Sequence, residues 1–263
     1  MSQNYSEAQL GSVDSLPKAA IKSRWWMVIV LPAWVFISFF VAQSLIFGFI
    51  WLLLAAKVPI KSINQTVLSA LIAAIVYMIT LAIVVVVPWL VKRYRTSKVD
   101  IGLTRLPRWT DILITPAGLI SYLIISSILI LLATQLLPWF DVNQVQETGF
   151  NQLNQRFELI LAFITLVVIA PVAEEILFRG YLYGKLKKYV PIWAAILATS
   201  LLFGAIHGAW NLAIDTFVLS IILCLLREST GNIWSSILLH MAKNGIAFFI
   251  LFIYPLLFTT LGR

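Results

Sequence analysis

The chain is broken into apolar runs that are each close to the length a helix needs to cross a bilayer. Such a helix takes about 20 apolar residues. The first run, Trp25 to Ala56, exceeds that length. It is followed by Val67–Val91, Ile112–Leu137, Leu159–Leu182, Ile192–Ile206 and Leu212–Leu226. The last run, Ile233–Leu261, is interrupted by Lys243 and Asn244, so it reads either as one long helix or as a span followed by a second, short one. The pattern predicts an all-α fold, a polytopic membrane helix bundle of seven to eight transmembrane helices. Composition agrees. Of 263 residues, 61% are hydrophobic and only 11% charged, where an average soluble domain carries about 25% charge. A water-soluble globule could not hide that much apolar surface, and disorder or a disulfide scaffold is excluded by the same numbers.

The organisation follows from the spacing. Residues 1–24 are polar and mixed, and read as a flexible cytoplasmic tail. Residues 25–137 hold the first three transmembrane helices, residues 150–250 a core unit, and residues 251–263 a hydrophobic C-terminal end. The first run is too long for a signal-peptide core and lacks a small-residue cleavage site after it, so it reads as a retained anchor. Orientation follows the Lys/Arg asymmetry. Lys92, Arg93, Arg95, Lys98, Arg105 and Arg108 lie between the second and third runs, and Lys185, Lys187 and Lys188 follow the fourth. The stretch Pro138–Glu158 holds Arg156 against Asp141, Glu147 and Glu158. The basic connections therefore face the cytoplasm, as does the N-terminus, and Lys57 and Lys61 fall outside as a mild violation. The net charge of +8 sits between apolar runs, where it sets topology and meets lipid headgroups rather than nucleic acid. The reading is a multi-pass protein of the cell membrane. The compact loops and the absence of a transit peptide point to a bacterial host. The single Cys224 lies in an apolar run and has no internal partner for a disulfide.

The informative residues are polar groups where lipid should be. A charge at the centre of a membrane helix costs about 2.5–3.5 kcal/mol on insertion scales, yet the fourth run carries Glu174, Glu175 and Arg179. Glu175 and Arg179 are four apart, share a face and can pair. Glu174 lies about 100° around the helix and has no cation in its local sequence. A desolvated carboxylate of this kind is suited to taking a proton from water. Pro171 removes one backbone hydrogen bond, which frees the carbonyl of Val167 and predicts a kink. The only two histidines, His207 and His240, lie at or near the ends of apolar runs. Phe203 is one turn before His207, and Asn244 one turn after His240. His240 and Asn244 thus share a face, and such neutral polar groups in a dry site can stabilise an oxyanion. Asp215 reads as interfacial or structural. Lys243 is free to snorkel and is assigned no role.

Glu174-Glu175-x-x-x-Arg179, Phe203-x-x-x-His207 and His240-x-x-x-Asn244, each on a separate apolar run and in this order, resemble the CPBP (Abi) intramembrane endopeptidases. That family includes the type II CAAX prenyl proteases and bacterial bacteriocin-processing or immunity proteins. The resemblance covers residues 150–250, and the segment "KVDIGLTRLPRW" resembles the family's loop before its core. It implies that Glu174 is the catalytic base, that His207 helps hold the water, and that His240 and Asn244 form the oxyanion site. Glu175 and Arg179 would shape the site or bind substrate. The implied partners are membrane lipid and a peptide or protein substrate, including prenylated-type peptides. No cofactor is required by this reading. Glu174, His207 and His240 alternatively compose a two-His, one-carboxylate set able to hold Zn²⁺, although no H-E-x-x-H is present and Arg179 nearby opposes a divalent cation. Two non-proteolytic classes stand beside the protease reading: a non-catalytic immunity or export partner, and an ion- or proton-coupled transporter.

Overall fold

The computed structural model describes residues 24–92, 95–144, 150, 153 and 155–256. The tail expected at residues 1–24 lies almost wholly outside the described residues, as does the end beyond Leu256. Helix is the natural state of these segments because lipid offers backbone amides and carbonyls no partner, and a helix satisfies its own. The long helices are α1 (Met27–Ala55) and α2 (Gln65–Lys92), the four-residue α3 (Lys98–Ile101) follows, and then come α4 (Trp109–Leu136) and α5 (Arg156–Leu186). The remaining helices are α6 (Ile192–Ala205), α7 (Trp210–Thr230) and α8 (Trp234–Leu256). The bundle is therefore seven long helices and one short one among the described residues. The last apolar run is a single helix as far as Leu256. Five of the helices (α1, α2, α4, α5 and α8) are long and apolar enough to cross a membrane. The exposed apolar side chains of α1, α2 and α4, among them Trp51, Val91 and Leu113, are the lipid-facing surface. With 14 residues, α6 spans only about 21 Å.

The central helix is α5. It packs against α1, α2, α3, α6, α7 and α8, and its second half is buried from Leu177 to Leu186. Two stretches of it, Ile164–Ile169 and Ile176–Tyr183, run in π register, a local widening found mostly at functional sites. They flank the two glutamates. Small residues let α3 lie close on α5. A Cβ at Gly184 would overlap the Asp100 carbonyl oxygen, and one at Gly180 would come within 2.7 Å of the Ile101 side chain. The short α3 is held by a reciprocal cap, Ser97 Oγ accepting from the Asp100 amide and the Asp100 carboxylate accepting from the Ser97 amide. Gly102 ends it at φ 76°, a left-handed conformation suited to glycine. Burial alone would push the Asp100 carboxyl up. The ion pair with Lys188 and the hydrogen bonds from Ser97 hold it down at about 2.

Contacts between connections define two ends of the bundle. At one end the Arg24 amide donates to the Tyr189 carbonyl, Lys188 pairs with Asp100, the Ile233 amide donates to Gly102, and Trp234 Nε1 donates to the Arg105 carbonyl at 2.8 Å. At the other, Asn64 Nδ2 donates to Glu158 Oε1 at 2.6 Å, and Asn211 Nδ2 donates to the Val142 carbonyl at 2.9 Å. There Trp139 also packs on Trp210 with ring centroids 5.2 Å apart. The first end carries the basic connections.

Candidate active site

The fully buried anchor of the site is Glu175. Its Oε1 accepts from Arg179 Nη1 at 2.9 Å, one turn along α5, and from His240 Nδ1 at 2.8 Å on α8. The pair expected from the i, i+4 spacing is present, and neither side chain is exposed. Arg179 also stacks on the face of Phe203, with its guanidinium carbon 4.3 Å from the ring centroid. Phe203 in turn packs edge-on against His207 at 4.9 Å and His240 at 5.9 Å. The phenylalanine of the F-x-x-x-H element is thus the packing hub between a buried cation and both imidazoles. Arg179 lines neither of the two cavities beside Glu174.

Glu174 points the other way, as its 100° offset requires. It is partly open to a cavity of about 490 Å³ between α2, α5, α7 and α8, and to a second of about 220 Å³ between α1, α5 and α6. Gln43, Tyr77, Glu174 and His207 border both, so the carboxylate stands where the two meet. His240, Lys243 and Asn244 line the larger one. Glu174 Oε2 lies 3.7 Å from His240 Nε2. That is too long for a hydrogen bond, but a single water about 2.8 Å from each atom would bridge them.

The hydrogen bonds assign the tautomers. His240 Nδ1 donates to Glu175, so its Nε2 faces Glu174 with a lone pair when the ring is neutral and with a proton when it is doubly protonated. His207 lies in the turn beyond the end of α6. Its Nδ1 reaches back to the Phe203 carbonyl at 2.6 Å, which leaves Nε2 for the cavity. Asn244 Nδ2 donates to the Leu166 carbonyl at 2.9 Å. Leu166 lies in the π-register stretch five residues before Pro171, and Asn244 supplies its carbonyl with a side-chain donor. One amide hydrogen and the carbonyl oxygen of Asn244 remain.

Two residues, Tyr77 and Lys243, lie outside the expected set or in a different role. Tyr77, on α2, donates a short hydrogen bond to Glu174 Oε1. Glu174, which has no partner in its own stretch of sequence, finds one 97 residues away. A single Tyr in an otherwise apolar run gives no sequence signal. Lys243 does not snorkel. Its Nζ lies 3.3 Å from Asp215 Oδ2, while Tyr122 and Ser126 each donate to Asp215 Oδ1 at 2.6 Å. Asp215 is therefore structural, tying α4, α7 and α8 together. Two opposite charges in separate apolar runs were the available clue. Among the described residues, no three His, Cys, Asp or Glu side chains are grouped to hold a metal ion. Glu174, His207 and His240 border one cavity but do not converge as a ligand set.

The motifs meet on helices α5 to α8, and this is the segment that known proteins share. The model of the type II CAAX prenyl endopeptidases, Rce1-like, matches residues 156–246. Over that segment, about a third of its length, the chain is similar to the Rce1-like family. Every motif residue from Glu174 to Asn244 lies inside the match, whereas Gln43 and Tyr77 lie before it. The chain is 29% identical over 126 residues to the uncharacterized protein YpbD of Bacillus subtilis, covering 46% of this chain and 62% of that one. It is 33% identical over 94 residues to an uncharacterized 24.3 kDa protein of Escherichia coli, covering 34% and 43%. It is 27% identical over 100 residues to the UPF0177 protein YxdF of Lactococcus lactis, covering 37% and 54%. The chain thus spans less than two thirds of each of these relatives. No solved structure matches it.

Proposed function

We propose that this chain is an intramembrane endopeptidase that hydrolyses peptide bonds of membrane-associated substrates with water activated by Glu174. The observation that carries the reading is the position of Glu174. It is the carboxylate at the junction of two cavities, 3.7 Å from an imidazole whose far nitrogen is fixed by a buried carboxylate. The Rce1-like match over residues 156–246 supports the same reaction class.

The steps follow from the groups present. A water held between Glu174 Oε2 and His240 Nε2, in the cavity that His207 also borders, loses a proton to Glu174 as its oxygen attacks the scissile carbonyl. The tetrahedral oxyanion is met by the remaining amide hydrogen of Asn244. His240 serves it only in its doubly protonated form, standing between Glu174 and Glu175. Glu174 then returns its proton to the leaving amine as the C–N bond breaks. General base catalysis of this kind contributes about 10²–10⁴-fold. Tyr77 holds one oxygen of Glu174 and so fixes the direction of the other. Glu175 and Arg179 act behind the site: Glu175 orients His240, and Arg179 neutralises Glu175 and carries Phe203. No step is routed through zinc, since the three candidate donors do not converge on one point.

The test is the purified full chain against its Glu174→Gln variant on a membrane-peptide substrate. Loss of cleavage with an unchanged melting temperature is expected. A variant that cuts at the native rate ends the assignment to Glu174, whereas a native chain that cuts nothing and whose cellular phenotype survives Glu174→Gln favours the non-catalytic partner. Localisation in a bacterial cell membrane with a cytoplasmic N-terminus belongs to the same proposal, supported by the spans and by relatives from bacteria.

A further inference from the structure

The larger cavity does not sit at the middle of the bundle. On α2 its wall is Ser69, Ala73 and Tyr77, all in the first half of a helix that begins at Gln65. Leu212 and Thr216 are in the first turns of α7. On α8, which runs antiparallel, the wall lies from His240 onward, to Leu251 and Phe252 near the end of the helix. His207 follows the last turn of α6, and Phe150 belongs to the connection before α5. Apart from His240, which lies deeper, six residues from the start of α8, these positions are toward one end, the one marked by the Asn64–Glu158 and Asn211–Val142 hydrogen bonds. From Gln65, Ser69 lies about 6 Å and Tyr77 about 18 Å along the helix axis. The cavity therefore descends from that end to Glu174.

The opposite end carries Arg95, Lys98, Arg105, Arg108, Lys187 and Lys188 in its connections. The cavity end has Lys57, Lys61 and Arg156 in or next to its connections, and the acidic Asp141 and Glu158 as well. Lys/Arg excess marks the cytoplasmic side of a multi-pass protein. We propose that the catalytic cavity is reached from the non-cytoplasmic side of the membrane, and that the peptides cut there are presented from that side. The second half rests on the hydrolytic reading of Glu174, while the first is a statement about the cavity alone. It sets the substrate class: membrane-attached peptide segments whose scissile bond stands in or above the non-cytoplasmic leaflet, rather than cytoplasmic C-termini.

Thiol labelling tests the cavity without reference to catalysis. The native chain has one cysteine, Cys224, and it is buried. Ser69→Cys and Ala247→Cys put thiols on the cavity wall. Asn143→Cys marks the connection at the cavity end, and Arg95→Cys the basic end. The full-length variants are treated with a membrane-impermeant maleimide in spheroplasts and in inside-out vesicles. The expected result is labelling of Asn143→Cys, Ser69→Cys and Ala247→Cys in spheroplasts with Arg95→Cys protected, and the reverse in vesicles. Protection of the two cavity thiols in spheroplasts overturns the proposal, whether they label in vesicles or only with a lipid-soluble maleimide. A second arm compares peptide fragments from cells carrying the native chain with those from cells carrying Glu174→Gln. Cuts are expected in segments displayed on the non-cytoplasmic side. Cuts confined to cytoplasmic segments overturn the substrate assignment while the thiols still report the cavity. Identical fragment sets overturn the hydrolytic reading and the substrate assignment together, again leaving the cavity's orientation to the thiols.

Discussion

Replacing Arg179 by Met leaves the Glu175 carboxylate buried without its cation. Both side chains are wholly enclosed, the guanidinium donates at 2.9 Å, and it stacks on Phe203 at 4.3 Å. Removing one partner of a buried ion pair costs about 3–5 kcal/mol, chiefly because the other charge stays desolvated and unpaired. At about 2–4 °C per kcal/mol for a chain of this size, the melting temperature in detergent should fall by roughly 6–20 °C. Replacing both members is a different perturbation. Glu175→Met/Arg179→Met leaves no orphan charge, and apolar side chains of similar length fill the space, so stability should recover well above the sum of the single effects. Activity should not recover, because His240 Nδ1 has then lost the acceptor that orients its ring. The measurements are melting curves of the purified native chain, both single variants and the double variant, with peptide cleavage assayed on each. A fall of less than about 3 °C for Arg179→Met would refute the reasoning, as would a double variant that loses as much as the two singles together. A double variant restored in both stability and cleavage would show that Glu175 has no part in setting His240.

Other outcomes follow from the same geometry. Glu174→Gln should lower kcat by about 10²–10⁴-fold without shifting the melting temperature, since Glu174 faces a cavity and not the core. Tyr77→Phe removes a hydrogen bond to a carboxylate worth about 1.5–3 kcal/mol, so kcat should fall roughly 10- to 100-fold with KM unchanged; a change in KM alone would make Tyr77 a substrate contact instead. Gly184→Ala forces a methyl onto the Asp100 carbonyl and should cost about 1–3 kcal/mol, seen as a lower melting temperature, whereas Gly208→Ala meets no neighbouring atom and reports only the strain of its positive φ. Dialysis against a strong chelator should leave cleavage unchanged, and loss of activity restored by added Zn²⁺ would return the Glu174, His207 and His240 set to consideration.

The spans, the helical class and the basic asymmetry are local properties of the chain. Apolar length and charge placement decide them whatever the neighbours are: seven long helices stand where the seven apolar runs lie, five of them long and apolar enough to cross a membrane rather than the seven or eight expected. The pairing of Glu175 with Arg179 was legible for the same reason, being set by the pitch of one helix. The shared face of His240 and Asn244 was legible too. The sequence could not say that Glu175 reaches past Arg179 to a histidine 65 residues away, nor that Asn244 donates to the Leu166 carbonyl in a π-register stretch of α5. Nor could it find Tyr77, an unmarked residue of an apolar helix outside the family segment, or turn Lys243 from the lipid surface toward Asp215. Each of these depends on how α2, α4, α5, α7 and α8 lie against one another. Helical periodicity fixes the direction of a side chain about its own axis, and only the packing of several axes decides which directions meet.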